Sequence, residues 1–134
     1  MKKKSRHEYR SRCPINIGLE LFGDRWSLLI VRDLLFKGTD HFNGFLESQE
    51  KIATNILADR LVKLEAAGIL ERRPDSQDAR RVRYRLSEKG YALAPVLIEI
   101  ILWADAHEDT AAPPDLIAAM RGNRKRFIAS LRKR

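Results

Sequence analysis

Residues 42–68 read FNGFLESQEKIATNILADRLVKLEAAG, and the fold turns on how this stretch divides. Leu57, Leu61 and Leu64 recur at spacings of four and three, so they line one face of a helix from about Thr54 to Ala67, with Ile56 on its flank. Gly68 supplies the cap on which such a helix stops. Ahead of it, Phe42, Phe45 and Leu46 mark a shorter helix from about Asn43 to Gln49, and Glu50-Lys51 breaks the two apart. A short helix, a turn and a capped second helix are the layout of a helix-turn-helix.

The flanks extend that layout. Downstream, Ile69 to Arg73 and Arg81 to Leu86 enclose the turn-forming loop Pro74 to Arg80, and Arg81-Val82-Arg83-Tyr84-Arg85-Leu86 alternates basic and apolar, as a strand with one wet face does. The pair reads as a hairpin, a wing behind the helix-turn-helix. Upstream, Pro14 opens a helix that Gly23 stops; Asp24 caps a second helix that ends at Lys37-Gly38, and an extended piece follows at Thr39 to Phe42. After the wing, Ser87-Glu88-Lys89-Gly90 starts a helix reaching about His107. From Tyr91 to Trp103 every residue except Pro95 and Glu99 is apolar. One stripe is enough for a small core, so the rest of this helix calls for another cover, and a second subunit is the simplest. Past Pro113-Pro114, residues 115–134 carry a weaker amphipathic pattern interrupted by Gly122. The predicted class is mainly α with a small β-hairpin (α+β), a winged helix-turn-helix dimerising through its N- and C-terminal helices. Its parts are a basic arm at 1–12, the winged domain at 13–107 and a helical segment at 108–134.

With 134 residues the chain holds one domain. Lys and Arg outnumber Asp and Glu by 26 to 18, and the formal charge of +8 draws polyanions, double-stranded DNA first and anionic membrane second. No run of eighteen apolar residues is present, and the basic start lacks the apolar stretch and cleavage site of a secretory signal, so the expected place is the cytoplasm, with no membrane partner. The lone Cys13 and the scattered His7, His41 and His107 give no metal spacing. No nucleophile elbow or phosphate loop is present. Neither enzyme nor cofactor nor metal is expected.

With the three leucines inward, Thr54, Asn55, Ala58, Asp59 and Val62 point outward over the helix's first turns, with Lys63 beside them. Side chains placed so reach base edges in a major groove, and Asn55 has the chemistry to pair with adenine; the same face is also what a solvated helix presents. On the wing, Arg72, Arg73, Arg80, Arg81, Arg83 and Arg85 are candidates for phosphates and the flanking minor groove. Asp75 and Asp78 read as turn formers paired with neighbouring arginines.

The run Cys13-Pro14-Ile15, then Gly23-Asp24-Arg25-Trp26-Ser27-Leu28-Leu29-Ile30-Val31-Arg32-Asp33-Leu34, Phe42-Asn43-Gly44-Phe45, Ile52 to Leu64, Tyr84 to Gly90, and Pro95-Val96-Leu97 with Trp103 resembles the HxlR family of bacterial winged-helix regulators. The resemblance spans about 13–107, and Gly-Asp-Arg-Trp is its most specific part. It implies a sequence-specific DNA-binding transcriptional regulator, a homodimer on a pseudo-palindromic operator, with redox or small-molecule control by an effector the sequence does not name. The dimer seam would use Ile15, Leu19, Val96, Leu97, Ile100, Ile101 and Trp103. Ala53 departs from the family's usual serine, so the cap of the Thr54 helix is weaker or comes from Thr54. The resemblance also implies an oxidation sensor at Cys13, which precedes Pro14 at a helix start near Arg10 and Arg12, a setting that favours the thiolate. A cysteine packed unreactively at the dimer seam is the alternative. Two rival functions remain open at this point: a MarR-like DNA-binding regulator, and a basic membrane-surface or protein-interaction module using Lys2-Lys3-Lys4 and Arg132-Lys133-Arg134.

Overall fold

The structure, a computed structural model, describes residues 8–132. Most of the expected basic arm (Lys2 to Lys4, Arg6 and His7) and the terminal Lys133 and Arg134 lie outside the described residues.

Two helices lead in: α1 (Pro14–Phe22) begins on its proline, and α2 (Ser27–Phe36) follows a turn held by Asp24. The Asp24 carboxylate accepts the N–H groups of Trp26 at 2.9 Å and Ser27 at 3.1 Å, so it satisfies donors that a helix start leaves unpaired. Helix α3 (Phe42–Leu46) is shorter than the sequence suggested. The chain leaves it through a turn in which Lys51 sits at φ 60°, a left-handed conformation that closes helical continuation at Glu50-Lys51. Helix α4 (Thr54–Ala66) then buries Leu57, Leu61 and Leu64. It ends in a Schellman arrangement: Gly68 at φ 77° donates to the Glu65 carbonyl, and Ile69 N–H donates to the Leu64 carbonyl, both at 2.9 Å.

Strands β1 (Leu70–Pro74) and β2 (Val82–Leu86) pair antiparallel, Leu70 opposite Leu86 and Arg73 opposite Arg83. Leu70 and Leu86 anchor the root of the hairpin in the core. The extended piece at 39–41 meets it through the Tyr84 N–H, which donates to the Asp40 carbonyl at 2.8 Å.

Beyond the wing the single expected helix from Ser87 to about His107 is two helices, α5 (Glu88–Tyr91) and α6 (Ala94–His107), separated by a turn at Ala92-Leu93. Pro95 is the physical reason: its ring excludes the carbonyl four residues back and it has no N–H to give, so it stands in the first turn of a new helix instead. The span Glu88–His107 is long and apolar enough in composition to cross a bilayer, but this break divides it and Ala94, Leu97, Ile98 and Leu102 are buried inside the fold. Helices α7 (Pro114–Gly122) and α8 (Arg124–Leu131) double back over it.

The principal core gathers Ile30, Val31, Leu35, Phe45, the three α4 leucines, Leu70, Leu86 and Leu97. Leu97 is therefore a correction to the expected dimer seam, because it faces its own chain's interior with 6% exposure. Val96 and Ile101 are half-buried against the two clusters. The second cluster joins Ile98 and Leu102 of α6 to Met120 of α7. Leu131, from the last turn of α8, belongs to the principal core.

Candidate nucleic-acid interface

The core contacts of α4 dictate what remains outside. Thr54, Asn55, Ala58, Asp59, Val62 and Lys63 are all exposed. Ala53 stands at the N-cap, extended at φ −71° and ψ 146°, and no side chain caps the helix, so the absent serine has no substitute from Thr54. Its first N–H groups face outward for a phosphate oxygen to accept. The orientation of α4 is fixed from outside the core as well: Arg60 Nε donates to Asp24 at 2.8 Å, tying the helix to the turn that starts α2. Burial alone would raise the Asp24 carboxyl, but the Ser27 hydroxyl, the Trp26 N–H and Arg60 together hold it down at about 2. Asp24 thus holds the turn before α2, whose N-cap residue is Trp26 rather than the expected Asp24, and tethers α4 at once, a contact sequence reasoning missed.

A second fastening lies under the turn before α4. Arg32 reaches both oxygens of Glu50, at 2.8 and 2.9 Å, and the buried Asp33 at 2.8 Å. The Arg32 guanidinium keeps the Glu50 carboxyl at about 2, well below its ordinary 4.5. This clamp fixes the turn that aims α4, and an arginine eighteen residues away from its acid left no periodic signal in the sequence.

The wing divides its arginines by strand register. Glu71, Arg73, Arg83 and Arg85 share one face, while Arg72 pairs with Tyr84 on the other. Most of these cations already have acids. Arg85 donates to Glu71 at 2.9 Å and Arg73 lies 3.4 Å from it. Arg80 sits 3.2 Å from Asp78, and Arg83 reaches Asp75 at 3.2 Å and bonds to Asp40 as well. Asp75 and Asp78 also accept the Gln77 and Arg80 backbone N–H groups, so they shape the loop as they pair with its cations. Among the described residues Arg72 and Arg81 make no ion pair. Together with Arg73, Pro74, Ala79, Val82 and Glu65 of α4 they line a cleft of about 260 Å³ between the helix and the hairpin. A second cleft, about 330 Å³, lies between 40–43 and the wing, with Asp40, Asp75, Arg81 and Arg83 on its walls.

The charge itself is not where the bulk composition suggested. Residues 13–112 contain 13 Lys and Arg against 16 Asp and Glu, a net of −3. The +8 of the chain comes from its ends: 1–12 holds six basic residues and one acidic, and 113–134 holds seven and one. The winged head is thus a nearly neutral surface with a few free cations, and Arg72 and Arg81 stand out on it.

On the terminal helices, Ile15 (74% exposed) and Leu19 (59%) on α1 and Ile100 (48%) and Trp103 (64%) on α6 are apolar side chains left in water. Trp103 makes a tilted ring contact with His107 at 5.2 Å between centroids. Cys13 is exposed at the N-cap of α1, its carbonyl accepting the Ile17 N–H at 2.9 Å. Among the described residues no group of three metal-binding side chains comes together.

Comparison with known proteins agrees with this geometry. The HTH-type transcriptional regulator YvaP of Bacillus subtilis (strain 168) is 34% identical over 93 residues, covering 69% of this chain and 85% of YvaP. YodB of the same organism, also an HTH-type transcriptional regulator, is 37% identical over 94 residues, covering 69% of this chain and 83% of YodB. The reduced form of YodB superposes with a TM-score of 0.59 over 72% of this chain and 95% of YodB, at 36% identity. The oxidised form of the redox regulator HypR gives a TM-score of 0.64 over 73% of this chain and all of HypR, at 27% identity. The family model described as HxlR-like helix-turn-helix matches residues 21–112. The α4 face, the wing and the family model agree, and this chain belongs to the HxlR-like helix-turn-helix family of transcription regulators.

Proposed function

We propose that two copies of this chain bind a pseudo-palindromic operator, each placing the first turns of α4 in a major groove and its wing over the flanking phosphates. The observation that carries the reading is the exposed stripe Asn55, Ala58, Asp59 and Val62 set beside the unpaired Arg72 and Arg81. Half-sites read by a twofold dimer lie about 34 to 36 Å apart, one turn of DNA. The apolar residues Ile15, Leu19, Ile100 and Trp103 provide the seam, with Val96 and Ile101 at its margin; packing them against a second copy removes them from water. Selection of duplexes from a random pool tests the assignment. Asn55→Ala changes the sequence preferred, Arg72→Ala and Arg81→Ala weaken all sequences alike, and binding indifferent to all three refutes it.

Cys13 is the regulatory residue of this reading. It is exposed at the start of α1, next to the apolar seam, and HypR, described as a redox regulator, has the same fold. A peroxide would oxidise two Cys13 thiols, one from each protomer, to a disulfide; the two electrons and two protons pass to the peroxide, which leaves as two waters. Such a bridge would reset the distance between the two α4 helices. Peroxide then changes operator affinity in the parent and leaves Cys13→Ser unaffected, whereas an equal response in both removes the sensor.

A further inference from the structure

Among the described residues, five large hydrophobic side chains are exposed, and four of them lie on α1 and α6. The fifth is Val62, in the middle of the outward face of α4, with 63% of its surface in water. It contributes nothing to the core, which Leu57, Leu61 and Leu64 already fill, and a β-branched residue on a wet helix face is a poorer helix former than Leu or Lys. Val62 follows Asn55 by seven residues, so it stands almost directly over it, about 20° around the axis, with Ala58 between them. Within the stripe Asn55, Ala58 and Val62 therefore present one amide and two methyl-bearing side chains, while the carboxylate of Asp59 is engaged by Arg60 and Lys63.

The cations of the same helix are engaged. Arg60 is bonded to Asp24 and Asp59, and Lys63 lies 3.2 Å from Asp59. Guanine is read in the major groove by an arginine or lysine free to reach its O6 and N7, and α4 has no unpaired cation to offer. Thymine presents a methyl group in that groove, the one apolar feature on the base edges. We propose that Val62, with Ala58, is a specificity-determining residue that packs on thymine 5-methyl groups, so the half-site under α4 is read as A·T pairs, with Asn55 taking adenine. This rests on α4 being the groove-reading helix.

The test replaces thymine by uracil, position by position, in a duplex selected from a random pool; pairing is retained and only the methyl is lost. Burying one such group corresponds to about a fourfold change in affinity. At one or two positions per half-site, uracil weakens the parent about fourfold each, and at one or more of those positions Val62→Ala binds the thymine and uracil duplexes alike while melting at the same temperature as the parent. A parent indifferent to uracil throughout overturns the methyl contact and leaves the groove assignment standing. Sensitivity that persists in Val62→Ala at every position where the parent shows it assigns the contacts to other side chains and also overturns the role of Val62; sensitivity lost at one position and kept at a neighbouring one is the result expected where Ala58 makes the second contact. A pool that yields no preferred duplex removes the groove assignment itself, and this inference with it.

Discussion

The pairing pattern of the wing makes a quantitative prediction about salt. Each phosphate neutralised by a protein cation contributes about −0.9 to the slope of log affinity against log salt. Arg72 and Arg81 make no ion-pair contact among the described residues, although the charge of Arg81 is felt by Asp75 and Asp78, so neither has a direct contact to break before it takes a phosphate. Replacing both by glutamine removes up to four contacts in a dimer, and the slope should become shallower by about 3.6. Over a fourfold rise in salt, the parent then loses roughly 150-fold more affinity than the variant. Arg80 and Arg83 provide the control. Asp78 opposes the first, Asp75 and Asp40 the second, so for Arg80→Gln with Arg83→Gln the slope changes by less than about 1. Fluorescence anisotropy on one selected duplex, between about 50 and 200 mM salt, reads both slopes. The reasoning is refuted if the Arg80/Arg83 variant flattens the slope as much as the Arg72/Arg81 variant, because internal pairing would then have no bearing on which cations DNA uses.

Three other outcomes follow from the packing. A Cβ added at Gly90 would lie 2.2 Å from the Ile69 carbonyl oxygen, so Gly90→Ala forces the wing root and α5 apart and costs about 1–3 kcal/mol in urea unfolding; an unchanged midpoint refutes the close approach. Glu50 has its carboxyl lowered from 4.5 to about 2, so its contribution is fully present above pH 4.5 and is lost as pH falls through about 2. Glu50→Gln is then less stable than the parent by about 1 kcal/mol at neutral pH, and the difference closes across that acid window when midpoints are followed with pH. Trp103→Ser with Leu19→Ser should shift sedimentation from dimer to monomer at concentrations where the parent is paired, with the melting curve of the single chain preserved.

The helices and hairpin were legible because they are periodic. Leu57, Leu61 and Leu64 announced both the extent of α4 and its wet face, and Gly68 marked its end where the structure has the left-handed residue. The alternation from Arg81 to Leu86 likewise showed β2. The sequence reading failed at Pro95, where an apolar run interrupted only by Pro95 and Glu99 concealed a turn, and at Leu97, where apolarity alone does not separate an inward from an outward side chain. In the site, the identity of the arginines was plain and their availability was not. Pairing Arg83 with Asp40 links positions 43 residues apart, and only the fold brings them together. The net charge misled for a similar reason: a sum over the chain does not say that its positive excess sits at the two ends.

Leu131 has a consequence for how the molecule is made. It lies in the last turn of α8, yet it is buried to 4% exposure in the core that α2, α4 and the wing root also fill. Arg132 follows it with paired bonds of 2.8 and 2.9 Å to Glu88 and a stacking contact on Tyr91. During synthesis, which releases residues in order, the helix-turn-helix and wing emerge well before the segment that seals their interior. A nascent chain halted after α6 would leave the places of Met120, Phe127 and Leu131 open to water, so premature termination should yield a loosely packed, aggregation-prone product rather than a shortened working reader.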